Sequence, residues 1–364
     1  MDNTKPKIKK ESKNKIKVDF DRTPLKERLK AKFLNYYFFQ QIIVKIFRFV
    51  FLLGIAYVVL YPFFTKIAGS FMSPNDFVDV TVRLIPKNWT LETYKEIFVE
   101  NEYLRALTNT VLISLSAAFI QTFVCCFIAY GLAKYKFKGN GAIFLLVMLT
   151  MIIPHKTLQA TMSLKFANFD ILGILSFLSG GASVGLEGID NVLASIKLLN
   201  APTGLNLLNT SVPVIILSLT GLAFKNGLYI FMLRQFFRGI PDSLEESAYI
   251  DGSGDFKTFF RIIIPMSVPM MITVFLFAFC WQWTDSFYTN MFFPTPGQAP
   301  LLLSSTEFVK VPMTLNLEYA GKSIYDKAII NTCGIMLIAP LVILYAFLQR
   351  YLVEGIERSG LTAE

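Results

Sequence analysis

The stretch from Arg234 to Pro269 reads RQFFRGIPDSLEESAYIDGSGDFKTFFRIIIPMSVP and combines acidic, small and turn-forming residues at helical spacing. It predicts two short helices: Asp242 is placed to cap the first, with Glu245 three residues on completing a capping box. Gly252 supplies a stop before Ser253 or Asp255 opens the second. Ser247 and Ala248, beside Glu246, leave a surface on which another protein can closely approach the backbone. Pro265 and Pro269 mark the entry into the next apolar run.

Three further groups carry polar chemistry inside apolar surroundings, where ionisable side chains are costly and face a cavity or a partner. Lys225 lies nine residues before Arg234, about 13 Å along a helix. It can donate hydrogen bonds to the hydroxyls of a solute or interact with an acidic one, or be a structural lysine paired with another protein surface. His155 and Lys156 follow Pro154, where a kink frees backbone carbonyls that need partners; a kink-stabilising or gating role competes with substrate contact. Trp281, Gln282 and Trp283 combine apolar ring faces with an amide, the combination that stacks and hydrogen-bonds a pyranose, although an interfacial aromatic belt uses the same residues.

No catalytic set emerges. The chain has one histidine, no paired aspartates within apolar runs and no H-E-x-x-H. Cys125, Cys126, Cys280 and Cys333 fall inside apolar runs without the spacing of a zinc or redox centre, so no metal is expected.

The elements that must position these residues follow from composition. Of 364 residues, 54% are hydrophobic and 17% charged, too apolar for a soluble domain. A bilayer core about 30 Å thick needs roughly 20 apolar residues per helix. Such runs occur near 46–66, 106–132, 141–163, 212–233, 262–284 and 328–349. The expected fold is an all-α polytopic membrane protein with six transmembrane helices and a cytoplasmic loop between helices 4 and 5. The third is the weakest, interrupted by Pro154, His155 and Lys156. The first 40 residues hold a lysine-rich tail in place of a signal peptide.

Lys and Arg accumulate on the cytoplasmic side. One side collects the N-terminal tail, Lys134, Lys136 and Lys138, then Arg234, Arg238, Lys257 and Arg261, then Arg350 and Arg358, and this is the richer side. Both termini are therefore expected in the cytoplasm, and the net charge of +9 reflects membrane topology rather than nucleic acid. The predicted organisation is a disordered basic tail (1–45) that can rest on anionic lipid, a transmembrane domain (46–349) and a C-terminal tail (350–364). The transmembrane domain includes an external glycine-rich insertion at 166–206 and the cytoplasmic loop 234–265. A seventh crossing within the insertion would turn that basic loop outward.

The loop resembles the signature loop of permeases of binding-protein-dependent ABC importers, whose E-A-A, three residues, G, then spaced I and P read here as Glu246, Ser247, Ala248, Gly252, Ile262 and Pro265. Ser247 replaces the first alanine but stays small. Glu245 and Asp251 lie within the same segment. The resemblance extends from about Phe51 onward and is similar to the carbohydrate-uptake, maltose-permease branch through LIPKNWTLETYKEIF (84–98), NTVLIS (109–114), AYGLAKYKFKG (129–139) and FLQRYLVEGI (347–356). RSGLTAE after Glu357, the basic N-terminal extension and the 166–206 insertion depart from it.

The resemblance implies a transport subunit in a bacterial plasma membrane, not an enzyme, working by alternating access and coupled through the loop 240–265, its coupling helix, to a groove on a separate ATPase subunit. It implies a homologous second permease, a dimer of ATPase subunits carrying ATP and Mg, an extracellular solute-binding protein and a sugar substrate. The chain has no G-x-x-x-x-G-K-[ST] loop, so ATP is expected on a separate chain and no cofactor on this one. The same architecture serving a non-sugar solute is the nearest alternative. A gradient-driven secondary transporter is further off, because it would want carboxylates inside the apolar cores.

Overall fold

The computed structural model describes residues 36–170, 205–223, 225–316 and 321–361. The basic tail, most of the 166–206 insertion and the last three residues lie outside them. The chain divides into two compact units, Met1–Phe64 and Thr65–Glu364. Helix α1 (Tyr36–Gly69) begins in the first and ends in the second. It is apolar all round and leaves large side chains such as Phe47 and Val58 exposed, as a lipid-facing helix does.

In the second unit, α2 (Glu92–Glu100) leads into α3 (Tyr103–Lys134), then α4 (Asn140–Ile152) and α5 (His155–Ala167). After the insertion come α6 (Val212–Leu219), α7 (Asn226–Arg238), α8 (Ser243–Ile250) and α9 (Asp255–Thr258). A π-helical turn, Phe259–Ile263, joins α9 to α10 (Ile264–Thr284); α11 (Phe287–Phe292) and α12 (Lys322–Leu361) follow. Among the described residues, α1, α3, the α9–α10 run and α12 are each long and apolar enough to cross a membrane. The α4–α5 pair, bent by 99°, passes the same test only as one broken span.

Helix α3 is the central post, packed on α7 and α10, with α10 in turn on α12. Ala106, Ala117, Ala118, Cys125, Cys126 and Ala129 are buried along it. Small residues let helix backbones approach where no hydrophobic driving force exists between helices in lipid. Gly227 does the same for α7, since a Cβ there would lie 2.9 Å from the Val147 carbonyl and 2.7 Å from Met151 Cγ. The four cysteines are free thiols.

The expected fourth span, 212–233, is not one helix. It breaks between α6 and α7, where Leu222 and Ala223 both donate their N–H to the Leu217 carbonyl, at 3.0 and 2.9 Å. Gly221 and Lys225 both take left-handed backbone there, with φ of 72° and 71°. Average hydropathy does not register this break, because the apolar residues around Lys225 outweigh it. The insertion's two ends are tied together: Phe169 and Leu205 exchange N–H to carbonyl bonds, both 2.9 Å. At the C-terminus, helical backbone continues through Leu361, so the span ending at 349 runs on into the 350–364 segment.

Candidate functional site

The loop after α7 forms two helical pieces, but the capping box at Asp242 and Glu245 does not form. Asp242 is itself in helical conformation and makes no side-chain cap bond. Its carboxylate instead accepts from Lys134 Nζ at 2.6 Å, and the same ammonium donates to the Ile240 carbonyl at 2.6 Å. Glu245 Oε1 lies 3.7 Å from that ammonium. One lysine at the end of α3 thus gathers the entry to α8. The hydrogen bond holds the Asp242 carboxyl below its ordinary range, whereas burial pushes Glu245 up, against the opposing pull of Lys134.

Helix α8 ends as its sequence demands. Gly252 has φ 77°; its N–H bonds the Tyr249 carbonyl at 3.0 Å and the Ser253 N–H bonds Ala248 at 2.9 Å. This is a Schellman stop with glycine at the left-handed position. Glu245 and Ala248 face inward, while Glu246, Ser247, Asp251 and Gly252 are exposed. Ile250 and Phe256 are 86% and 77% exposed, so an apolar edge lies beside the small residues. The second piece, α9, is no separate helix: it continues through the π turn, which holds Ile262, into α10, which Pro265 enters.

A second arrangement surrounds the two broken spans. A cavity of about 430 Å³ is lined by His155 and Lys156 from the α4–α5 bend, by Lys225 from the α6–α7 break and by Asp285. A narrower cleft lined by Gln121, Trp281, Gln282 and Tyr288 shares Ala223 and Asp285 with it. Lys225 Nζ lies 4.7 Å from the centre of the Trp281 ring, within cation–π range. His155 Nδ1 is 3.4 Å from the Tyr288 hydroxyl. Five of the six polar-pathway candidates therefore meet here: His155, Lys156, Lys225, Trp281 and Gln282.

Trp283 does not join them. It is 2% exposed and donates Nε1–H to the Leu337 carbonyl at 2.9 Å, locking α10 to α12. Conversely, Asp285, Gln121 and Tyr288 were not singled out by sequence reasoning. Asp285 accepts from the N–H groups of Phe287 and Tyr288, at 3.2 and 3.0 Å, and so opens α11. Its isolation as the one acidic residue between Ile262 and Leu303 was a readable signal. Gln121 donates to Ser218 at 3.2 Å; nothing in sequence separates it from other polar residues in apolar helices. Among the described residues no cluster of histidine, cysteine and carboxylates could hold a metal.

Residues 104–358 match the family described as "Binding-protein-dependent transport system inner membrane component". The chain is 24% identical to the inner membrane ABC transporter permease protein YcjP of Escherichia coli, over 83% of this chain and 91% of that one. It is 25% identical to the polygalacturonan/rhamnogalacturonan transport system permease protein YtcP of Bacillus subtilis, over 84% and 93%. With the arabinooligosaccharides transport system permease protein AraQ of Halalkalibacterium halodurans it shares 26% identity, over 84% and 92%. In structure it resembles a chain of a bacterial ABC transporter that imports the acidic polysaccharide alginate, with a TM-score of 0.58 at 19% identity, over 86% of this chain and 97% of that one.

Proposed function

The chain belongs to the family of inner membrane components of binding-protein-dependent transport systems, and from that premise we propose that it is the permease subunit of an ATP-driven importer of a sugar or oligosaccharide. It forms half of the translocation pathway and crosses the plasma membrane six times, as α1, α3, α4–α5, α6–α7, α9–α10 and α12, with both termini in the cytoplasm. A homologous permease supplies the other half. Two ATPase subunits bind ATP and Mg, and an extracellular solute-binding protein delivers the substrate.

The observation that carries this reading is the way α8 is mounted. It exposes Glu246, Ser247, Gly252 and Ile250 for a partner, and it is held from two directions. Lys134 ties its start to α3, and two residues beyond Gly252 the helical backbone runs from Asp255 through α9 into α10 without a break. A partner that displaces α8 therefore pulls on two spans at once. ATP-driven closure of the ATPase pair would swing α3 and α10 together, which is what alternating access requires. The small side chains let the partner's groove approach the backbone, and the exposed Ile250 gives it apolar area to bury.

Sugar as substrate is supported by two lines. The relatives named above include permeases for arabinooligosaccharides and for polygalacturonan/rhamnogalacturonan. The cavity beside the broken spans offers the Lys225 ammonium, and the adjoining cleft offers an indole and an amide in Trp281 and Gln282, a set that suits stacking on a pyranose and bonding to its hydroxyls.

The test is co-purification of the chain from its native membrane, followed by ATPase assay with the binding protein and candidate oligosaccharides. Recovery of a second permease and an ATPase, with turnover stimulated by loaded binding protein, is the expected result. A lone chain in mild detergent, without ATPase partners, would overturn the reading.

A further inference from the structure

We infer that the groove between the ends of α3 and α7 is a binding site for the phosphate of an anionic phospholipid headgroup. The groove encloses about 570 Å³ and is lined by Lys136, Lys138, Arg234 and Arg238, with no carboxylate in its wall. Of the acidic residues around it, Asp242 and Glu245 are gathered by Lys134 and Asp255 is engaged by the Tyr135 hydroxyl. No carboxylate among the described residues lies within ion-pair distance of the four groove cations. Four positive charges therefore converge on one concavity, none of them in direct ion-pair contact with a carboxylate among the described residues.

Arg234 shows how the groove is built. Its Nε donates to the Leu132 carbonyl at 3.2 Å, and its guanidinium lies 4.0 Å from the centre of the Phe144 ring. Asn140 covers the neighbouring Tyr135 carbonyl at 2.8 Å. The Leu132 and Tyr135 carbonyls at the end of α3 thus have side-chain donors within the chain, and the outer nitrogens of Arg234 remain for an external acceptor. A guanidinium fixed by stacking keeps its planar fork pre-organised for phosphate oxygens.

Location selects a lipid over other anions. The groove lies where α3 ends, α4 begins and α7 ends, at the level where membrane-spanning helices meet headgroups. Phe137 and Tyr135 flank the cations and are 45% and 41% exposed, apolar surface that an acyl chain covers and a free ion does not. Lys and Arg near a headgroup surface each favour an anionic lipid by about fivefold in affinity. The inference rests on the membrane topology proposed above only in assigning the lipid to the inner leaflet, since the groove is at the end of the spans in either orientation.

The experiment measures lipid retention by native mass spectrometry on the full chain, taken from nanodiscs of phosphatidylcholine with and without phosphatidylglycerol. Lys136→Gln with Arg238→Gln is compared with Lys257→Gln with Arg261→Gln, a pair of equal charge outside the groove. The expected result is retained phosphatidylglycerol whose binding falls roughly 25-fold in the groove pair and less than about twofold in the other. Equal losses would overturn the site in favour of a diffuse surface potential. Displacement of the lipid by millimolar inorganic phosphate, or loss of ATPase-subunit recovery with lipid retention intact, would overturn the lipid assignment. Maleimide labelling of Lys138→Cys from either side of sealed vesicles reads the leaflet separately, so an error in topology cannot pass for failure of the groove.

Discussion

The Lys225 ammonium sits 4.7 Å from the centre of the Trp281 indole, and it is delivered there by a left-handed backbone with φ 71°. A non-glycine residue in that region costs on the order of 1 kcal/mol or more, yet a lysine is kept where glycine would fit without strain. If the side chain serves the pathway, Lys225→Gly and Lys225→Met should both cut uptake into proteoliposomes at least about tenfold. A desolvated cation–π contact alone is worth about 2 kcal/mol. The two variants should differ in stability, with Lys225→Gly unfolding at the higher temperature because it sheds the strain that Met retains. Normal uptake by the Met variant would remove Lys225 from the pathway.

Two tryptophans two residues apart separate by the face of α10 they occupy. Trp281 is 44% exposed at the cleft and Trp283 is 2% exposed against α12. Trp283→Leu should destabilise the purified chain by about 3 kcal/mol, losing ring packing and leaving the Leu337 carbonyl without its donor. Trp281→Leu should leave the thermal midpoint nearly unchanged and weaken uptake instead. Thermal unfolding beside uptake separates the two effects, and the reverse pattern would mean the cleft is not on the substrate route.

Much of this was legible from residue patterns. The apolar runs placed α1, α3, α10 and α12, and Gly252 marked the stop of α8 because only a left-handed residue ends a helix that way. The break between α6 and α7 was not legible, since SLTGLAFKN keeps an apolar average while Gly221 and Lys225 turn the backbone. The Asp242 and Glu245 spacing pointed to a capping box, a local solution; the structure uses Lys134, more than a hundred residues away in sequence, a tertiary solution that no short window displays. The convergence of the two broken spans on one cavity is likewise a product of packing. So is the exclusion of Trp283 from it, because neighbouring positions on a helix look alike until their partners are known.

Two glycines make opposite predictions. A Cβ at Gly252 meets nothing within 4 Å but must take φ 77°, so Gly252→Val should leave the chain inserted and folded while distorting the end of α8 and abolishing uptake. A Cβ at Gly227 would press on the Val147 carbonyl and the Thr150 and Met151 side chains of α4. Gly227→Val should therefore reduce the amount of folded protein recovered from the membrane, because backbone on that side cannot yield as a flexible side chain can. Fluorescence-detected size exclusion distinguishes the outcomes. Full recovery of Gly227→Val would show that α4 is free to move away from α7.

The Lys134 contact predicts a pH signature. Its side chain is 7% exposed and that of Glu245 11%, so Lys134→Met strands a buried carboxylate and should destabilise the α8 attachment by about 3 kcal/mol or more. Glu245→Gln in that background should recover much of the loss. In the unmodified chain, burial holds the Glu245 carboxyl above its ordinary value of 4.5, so the folded state binds that proton more tightly than the unfolded state. Stability on this account is greatest at low pH and falls as pH rises through the raised folded value. Asp242, held below its ordinary value by Lys134, acts in the opposite sense; its contribution is present above the unfolded value and lost as pH falls through the folded one. Above pH 4.5 the Glu245 contribution slopes the opposite way to that of Asp242; Glu245→Gln should remove that component and raise the midpoint at neutral pH, and the difference between the two proteins isolates it from every other titrating group. If wild type and Glu245→Gln follow parallel melting curves over that range, the Glu245 carboxylate is not buried in the working assembly, and Lys134 holds α8 through Asp242 and the Ile240 carbonyl alone.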